Sequence, residues 1–401
     1  MKRFREDLYI PDYDKFCISK LPRWIFDYFK YNKIDNGRLK EELEGKEKIL
    51  LLIIDCLGLA LLESYSFFNP KSLLSKFYKK RGYMSLESTF PSTTSTALTS
   101  LNTGLNPLEH AILGYTMFVK DFGAIINMVH FSPAVDSKRE SLLDSGINLE
   151  DFLGSKTIYE KLNEEGIKSY VITRNFLKNT ALSKLLHKGS EVTAYVNSSD
   201  LFVNLKNHLK SCKAPSYTFA YWDALDTLSH LHGPSSEQVY AELDTLSFGL
   251  ERLLKEELNS NIAFMISSDH GSLTVDETNL IKYGEQTTLK DMLRLPPVGD
   301  ARAFFLFPKH DKIDKTIDFF ERNFKEQFLC ISLKEALKMK LFGSGNLNMN
   351  FYDRVGELLC LARRNYALYF RFRKSFEETI LKGYHGGLSY DELFVPLIFI
   401  R

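Results

Sequence analysis

Seven side chains in the 401-residue sequence have the types and spacing to hold cations beside a nucleophile: Asp55, Thr94, Asp226, His230, Asp269, His270 and His385. Asp226 and His230 stand four apart in DALDTLSHLHGP, so on a helical turn they share a face and can bind one ion. Asp269 and His270 are adjacent at the exit of the apolar run NIAFMISS, where both can turn inward. The groups divide into two sets. Asp226, His230 and His385 make a nitrogen-rich site with an open position for water or substrate; Asp55, Asp269, His270 and the Thr94 oxygen make a second. Mixed imidazole and carboxylate ligation suits Zn, Mn or Fe better than Mg or Ca. Each residue alone has an ordinary explanation: an Asp behind a strand caps a helix, and a single His is a hydrogen-bonded core side chain more often than a ligand.

The elements that must position these groups are readable in outline. Lys48 to Asp55, KILLLIID, is a continuous apolar run ending in a carboxylate, the pattern of a strand buried on both faces of a parallel sheet. Ligands of open α/β sheets bind beyond the carboxyl ends of such strands, which is where Asp55 falls. In LESTFPSTTSTALTSLNTGLNPLEHAILGY, Leu86 to Tyr115, Pro91 ends an extended run, and Ser92 to Leu101 predicts a short helix opened by hydroxyl residues. The free N–H groups and partial positive charge of a helix start let an anion and a nucleophilic hydroxyl share one place. Further along, SKTIYEKLNEEG and IKSYVITR, LKNTALSKLLHKG and EVTAYV, DLFVNLKNHLKS and SYTFAYW alternate helix with strand patterns. That alternation predicts right-handed βαβ units in a doubly wound, mostly parallel sheet with helices on both faces. Residues 1–46, charged and aromatic, are expected to form a peripheral helical extension. The core is expected over 47–294 and 381–401, with a small inserted α+β subdomain over 295–380. The run NYALYFRFRK within it is expected to be an amphipathic strand.

Composition narrows the class. Lys plus Arg (52) nearly cancels Asp plus Glu (51), so any anion specificity is local. Five scattered cysteines without a C-x-x-C argue against a disulfide framework and a thiolate zinc cluster, and point to a reducing compartment. The start lacks the apolar core of a signal peptide, and no run of about 18 apolar residues occurs. A cytoplasmic protein without membrane attachment is therefore expected.

FPSTT followed by NTGLNPLEH, D-x-x-x-H-x-x-G-P at Asp226 to Pro234, SDHG at 268–271 and HGG at 385–387 stand in the order found in the alkaline phosphatase superfamily. The chain most resembles its type I phosphodiesterase/nucleotide pyrophosphatase branch, over about Ile49 to Pro396. The resemblance implies an alkaline-phosphatase-like fold, Thr94 as nucleophile, and two divalent ions, Zn or Mn. It implies Asp226, His230 and His385 as ligands of one ion, and Asp55, Asp269 and His270, with the Thr94 oxygen, as ligands of the other. It also implies hydrolysis of phosphodiester or pyrophosphate bonds in nucleotides or related small molecules through a phosphothreonine. Partners would be such small phosphate esters; nucleic acid is not expected beyond an oligonucleotide. Two residues depart from the family pattern: Tyr115 stands where relatives carry a phosphate-contacting Asn, and Cys56 where they carry Gly. Tyr115 is thus a candidate substrate contact. Arg302 is another, since its fork can reach a phosphate, with a surface ion pair as its alternative role. Rival readings are a phosphomonoesterase or phosphomutase of the same superfamily, and a non-catalytic nucleotide-binding module resembling the PglZ group, suggested by HGGLSYDELFVP.

Overall fold

Every residue of Lys48–Ile54 is buried in the computed structural model, which describes all of the chain except residues 1, 137, 147–151, 256–260, 371, 373–379 and 401. The strand's alternating side chains enter two different cores: Ile49, Leu51 and Ile53 one, Leu50, Leu52 and Ile54 the other. A strand packed on both faces must be apolar throughout, which is why no alternation is visible in KILLLII.

This strand is the centre of a seven-stranded sheet. Ser216–Trp222 and Ile262–Ser267 flank it in parallel; Lys168–Arg174 and Glu191–Tyr195 extend the parallel side. On the other edge Phe394–Ile400 runs antiparallel to both Ile262–Ser267 and Tyr83–Glu87. The register places Trp222 beside Ile54 and Ser267 beside Ile53, so three parallel strands end at one level. Helices Leu59–Phe68, Ser198–Ser211 and Glu237–Leu254 contribute buried residues to one core, and Thr94–Thr103 and Ile158–Glu164 to the other. The fold is the doubly wound, mostly parallel α/β architecture that the alternating pattern predicts.

A second, antiparallel seven-stranded sheet follows the order Phe328–Ser332, Leu358–Ala362, Ala303–Pro308, Leu293–Gly299, Thr116–Val119, Ala124–Asn127, Ser132–Pro133. The sequence reading assigns 295–380 to the subdomain, yet three strands of its sheet come from 116–133, inside the expected core. They join through one junction, where the Thr116 hydroxyl donates to Gly299 O and accepts the Gly299 N–H, both at 3.1 Å. Nothing local in TMFV announces Gly299, 183 residues after Thr116, as a partner. Of the run NYALYFRFRK, Ala367–Tyr369 forms a strand parallel to Leu280–Lys282, while residues 371, 373 and 374 lie outside the described residues.

The first 46 residues are neither peripheral nor only helical. Lys2–Arg5 and Leu8–Ile10 pair as a hairpin, and helix Lys20–Tyr31 buries Leu21, Trp24 and Ile25 against the helix Thr94–Thr103. Their three- and four-residue spacing forms one apolar stripe, which stays out of water only by joining the core.

Candidate metal centre and active site

Because the parallel strands end together, the groups that follow them meet. Asp55 comes directly after Ile54, its N–H donating to Trp222 O at 2.9 Å. Asp269 and His270 follow Ser267–Ser268, and Asp226 and His230 lie on helix Ala224–His232 behind Trp222. His385 arrives from Gly383–Tyr384, which pairs antiparallel with Leu273–Thr274. Gly383 must lack a side chain there, since a Cβ would stand 2.2 Å from Ser229 O on the helix carrying His230. Asp55, Asp269 and His270 present ligand atoms within 4.8 Å of one another, and so do Asp226, His230 and His385. The His270 and His385 rings stack at 3.9 Å, making the two sets one cluster. Thr94 is the first residue of its helix, its Oγ1 3.1 Å from His270 Nε2.

The hydrogen bonds show which atoms are left for a cation. His230 Nδ1 lies 2.8 Å from Gly383 O, His385 Nδ1 3.1 Å from Ser92 O, and His270 Nδ1 3.2 Å from Gly271 O. A carbonyl only accepts, so each Nδ1 carries the proton and each Nε2 of the neutral ring turns a bare lone pair inward. Two such lone pairs, on His230 and His385, face each other at 3.2 Å, an arrangement that needs a cation or a proton between them. Burial first, then the neighbouring His270 and His230, hold His385 well below the usual imidazole pKa, in the ligating form. The carboxylates follow the same pattern. Asp55 Oδ2 accepts the Tyr221 hydroxyl while Oδ1 has no hydrogen-bond partner among the described residues. Asp269 Oδ1 accepts the N–H groups of His270 at 3.0 Å and Cys56 at 3.3 Å while Oδ2 has none. Asp226 Oδ1 is also without a hydrogen bond. Desolvation, then Asp269 and Asp226, push the Asp55 carboxyl well above its usual range. Buried oxygens without donors are expensive, and divalent cations would supply what is missing. The donor set fits two such ions.

All seven cluster residues expected from the sequence lie here. Asp223, three residues before Asp226, has its carboxylate paired with Arg174 at 3.0 Å. Tyr115 is exposed beside the start of the Thr94 helix, its ring edge-on to His130 and its N–H 3.3 Å from Asp300 Oδ1. Arg302 corrects both of its expected roles. Fully buried, it forms a two-bond pair with Glu392 (2.7 and 2.9 Å) and donates to Tyr366 O, so no donor faces a substrate and the pair is not at the surface. Glu392 also accepts from Gly387 N and from Ser389, so this pair clamps the segment after His385 to the second sheet. Cys56 is buried, its thiol 3.0 Å from Ser272 Oγ, and its φ of 71° accounts for the glycine that relatives place there. Among residues the sequence reading passed over, Tyr221 and Asp300 matter most. Tyr221 hides inside SYTFAYW, where nothing distinguishes its direction from Tyr217's.

The type I phosphodiesterase/nucleotide pyrophosphatase family matches residues 49–388. The chain belongs to that family. With membership goes its coarse activity, a phosphoester hydrolase of the phosphodiesterase/pyrophosphatase type within the alkaline phosphatase superfamily. Similar solved structures include murine ectonucleotide pyrophosphatase/phosphodiesterase 5, with 17% identity, 88% of this chain and 87% of that chain covered, and a TM-score of 0.63. An inactive variant of the murine protein in complex with AMP matches at 16% identity, TM-score 0.61 and the same coverage. Phosphonoacetate hydrolase from Sinorhizobium meliloti 1021 in complex with phosphonoformate matches at 15% identity, covering 88% of this chain and 90% of that chain, with a TM-score of 0.65. At these identities the likeness establishes the alkaline-phosphatase-like fold. A search of curated proteins gives no match. Among the described residues no helix is long and apolar enough to cross a membrane.

Proposed function

We propose that Thr94 is the nucleophile of a two-cation hydrolase that cleaves phosphodiester or pyrophosphate bonds of nucleotides or related small molecules. The observation carrying this reading is the Thr94 hydroxyl, 3.1 Å from the inward lone pair of His270, at a helix start beside carboxylate oxygens that accept no hydrogen bond among the described residues. Asp226, His230 and His385 would hold one divalent ion, zinc or manganese, and Asp55, Asp269, His270 and the Thr94 oxygen the other. Bound there, such a pair supplies Lewis-acid stabilisation of the attacking and departing oxygens and lowers the pKa of hydroxyl and water. Thr94 Oγ1, its proton lost to solvent water, attacks phosphorus in line; the Oγ1–phosphorus bond forms as the bond to the leaving oxygen breaks, and that oxygen takes a proton from solvent. Water then opens the phosphothreonine and returns the proton to Thr94. The first-turn N–H groups of the Thr94 helix face the same place and favour an anion. His230, His270 and His385 keep their orientation through backbone carbonyls, so the chain and not the substrate sets the geometry. The AMP complex of the murine relative supports a nucleotide as substrate.

The test is Thr94→Ala assayed on bis(4-nitrophenyl) phosphate, with metal measured by mass spectrometry. Turnover falls by at least about a thousandfold, on the scale of losing a nucleophile, while metal content persists. Full activity in that variant removes the mechanism. A strong preference of the wild type for 4-nitrophenyl phosphate moves the assignment to a monoesterase.

A further inference from the structure

The helix Thr94–Thr103 begins without a side-chain cap. Thr93 is its N-cap residue and has the extended backbone (φ −138°, ψ 149°) from which a threonine oxygen ordinarily accepts a first-turn N–H, but it makes no such bond. Thr157 and Thr180 cap the helices that follow them from extended backbone with φ −69° and −65°, and Asn197 caps its helix at φ −149°, so a φ as extended as that of Thr93 does not itself prevent a cap. The difference is Asp300. The Thr93 hydroxyl donates to Asp300 Oδ1 at 3.0 Å, a rotamer that turns its oxygen away from the helix. Asp300 is itself held on several sides. Its Oδ1 accepts the Tyr115 N–H at 3.3 Å, its own N–H donates to Ala303 O at 2.9 Å, and Gly386 abuts it, where a Cβ would stand 2.6 Å from Asp300 Cβ. The carboxylate therefore sits where the second sheet, the Tyr115 loop and the segment after His385 converge on the nucleophile.

We propose that Asp300 is a positioning residue: by holding the Thr93 hydroxyl it keeps the first-turn N–H groups of the Thr94 helix uncapped, reserving them for a non-bridging oxygen of the substrate's phosphoryl group. This rests on the reading of Thr94 as nucleophile. The two oxygens compete for the same donors, since a Thr93 cap would satisfy the N–H that a phosphoryl oxygen needs. The proposal makes a prediction opposite in sign to that from charge alone. Removing a carboxylate beside an anion site strengthens anion binding electrostatically, whereas freeing Thr93 to cap the helix weakens it.

The experiment measures inorganic phosphate binding to the zinc-loaded protein by calorimetry, and kcat and KM on bis(4-nitrophenyl) phosphate. Asp300→Ala weakens phosphate binding and lowers kcat at least about tenfold, part of what losing an oxyanion donor costs. Asp300→Asn, which keeps an acceptor for the Thr93 hydroxyl, stays within about threefold of wild type. With Thr93→Val as the reference, which has no oxygen to cap with, adding Asp300→Ala costs less than about threefold. Thr93→Asn, a strong cap, weakens phosphate binding without lowering the melting temperature, and it carries the test if Asp300→Ala does not fold. Equal or tighter phosphate binding in both Asp300→Ala and Thr93→Asn overturns the proposal, as does an Asp300→Ala loss that persists in full on the Thr93→Val background. Thr94→Ala run in parallel separates the two readings: if it retains turnover the nucleophile assignment fails, while the phosphate affinities still judge Asp300.

Discussion

Replacing Tyr221 by Phe removes one hydroxyl from the metal centre and leaves its shape intact. The side chain is buried, and its only departing atom is the donor to Asp55 Oδ2, the oxygen turned away from the cation cluster. A hydrogen bond to a charged group contributes about 1.5–3 kcal/mol. At about 1.4 kcal/mol per tenfold, the ion that Asp55 would bind loses about 10- to 100-fold in affinity, the range typical for partners that orient ligands. The loss is confined to one ion, because Asp226, His230 and His385 do not touch Tyr221 through any described hydrogen bond. Zinc titration in a chelator-buffered series reads both affinities. One binding step shifts by about 10- to 100-fold while the other stays within about threefold, and phosphodiester turnover returns at high zinc. Two steps each within about twofold of wild type, or both ions lost together, would refute the assignment of Asp55 to a distinct site held by Tyr221.

Three further outcomes follow from the same structure. Arg302→Gln leaves buried Glu392 uncompensated, which costs about 3–5 kcal/mol in urea unfolding; a loss under about 1 kcal/mol contradicts the buried clamp, and Arg302→Gln with Glu392→Gln recovers part of it. Gly383→Ala drives a methyl into Ser229 O and pushes His230 from His385, so metal analysis finds the nitrogen-rich ion depleted; full two-ion content in a folded variant refutes the close contact. His110 accepts the Ile112 N–H on Nδ1 and lies 3.0 Å from Ser100 Oγ through Nε2, and burial, then Arg354, lower its pKa from 6.5 to about 3. The unfolded chain binds that proton first, so stability is complete above pH 6.5 and falls as pH drops towards 3. At about 1.36 kcal/mol per unit, roughly 2 kcal/mol is gone by pH 5. Urea unfolding at pH 7.5 and pH 5 measures it, and a His110→Gln difference as steep as the wild type's contradicts the buried neutral ring.

The order of motifs, the apolar strands and the acids that end them are properties of local sequence, because burial on both faces and helical spacing leave marks within a few residues. The central sheet was accessible on that basis, and the candidate ligands and Thr94 through the motif order that the family resemblance interprets. Other features exist only once the strands are in register. Tyr221 and Tyr217 are equivalent in SYTFAYW, yet pairing with Lys48–Ile54 aims Tyr221 at Asp55. Arg302 has a fork suited to phosphate, but Glu392, ninety residues later, takes it. Thr93 is one of the hydroxyl residues that open the predicted helix, and Asp300, next to the second sheet, accepts its hydroxyl instead. In each case a polar group has several chemically adequate partners, and the choice between them is made by proximity across the fold, which no window of neighbouring residues contains.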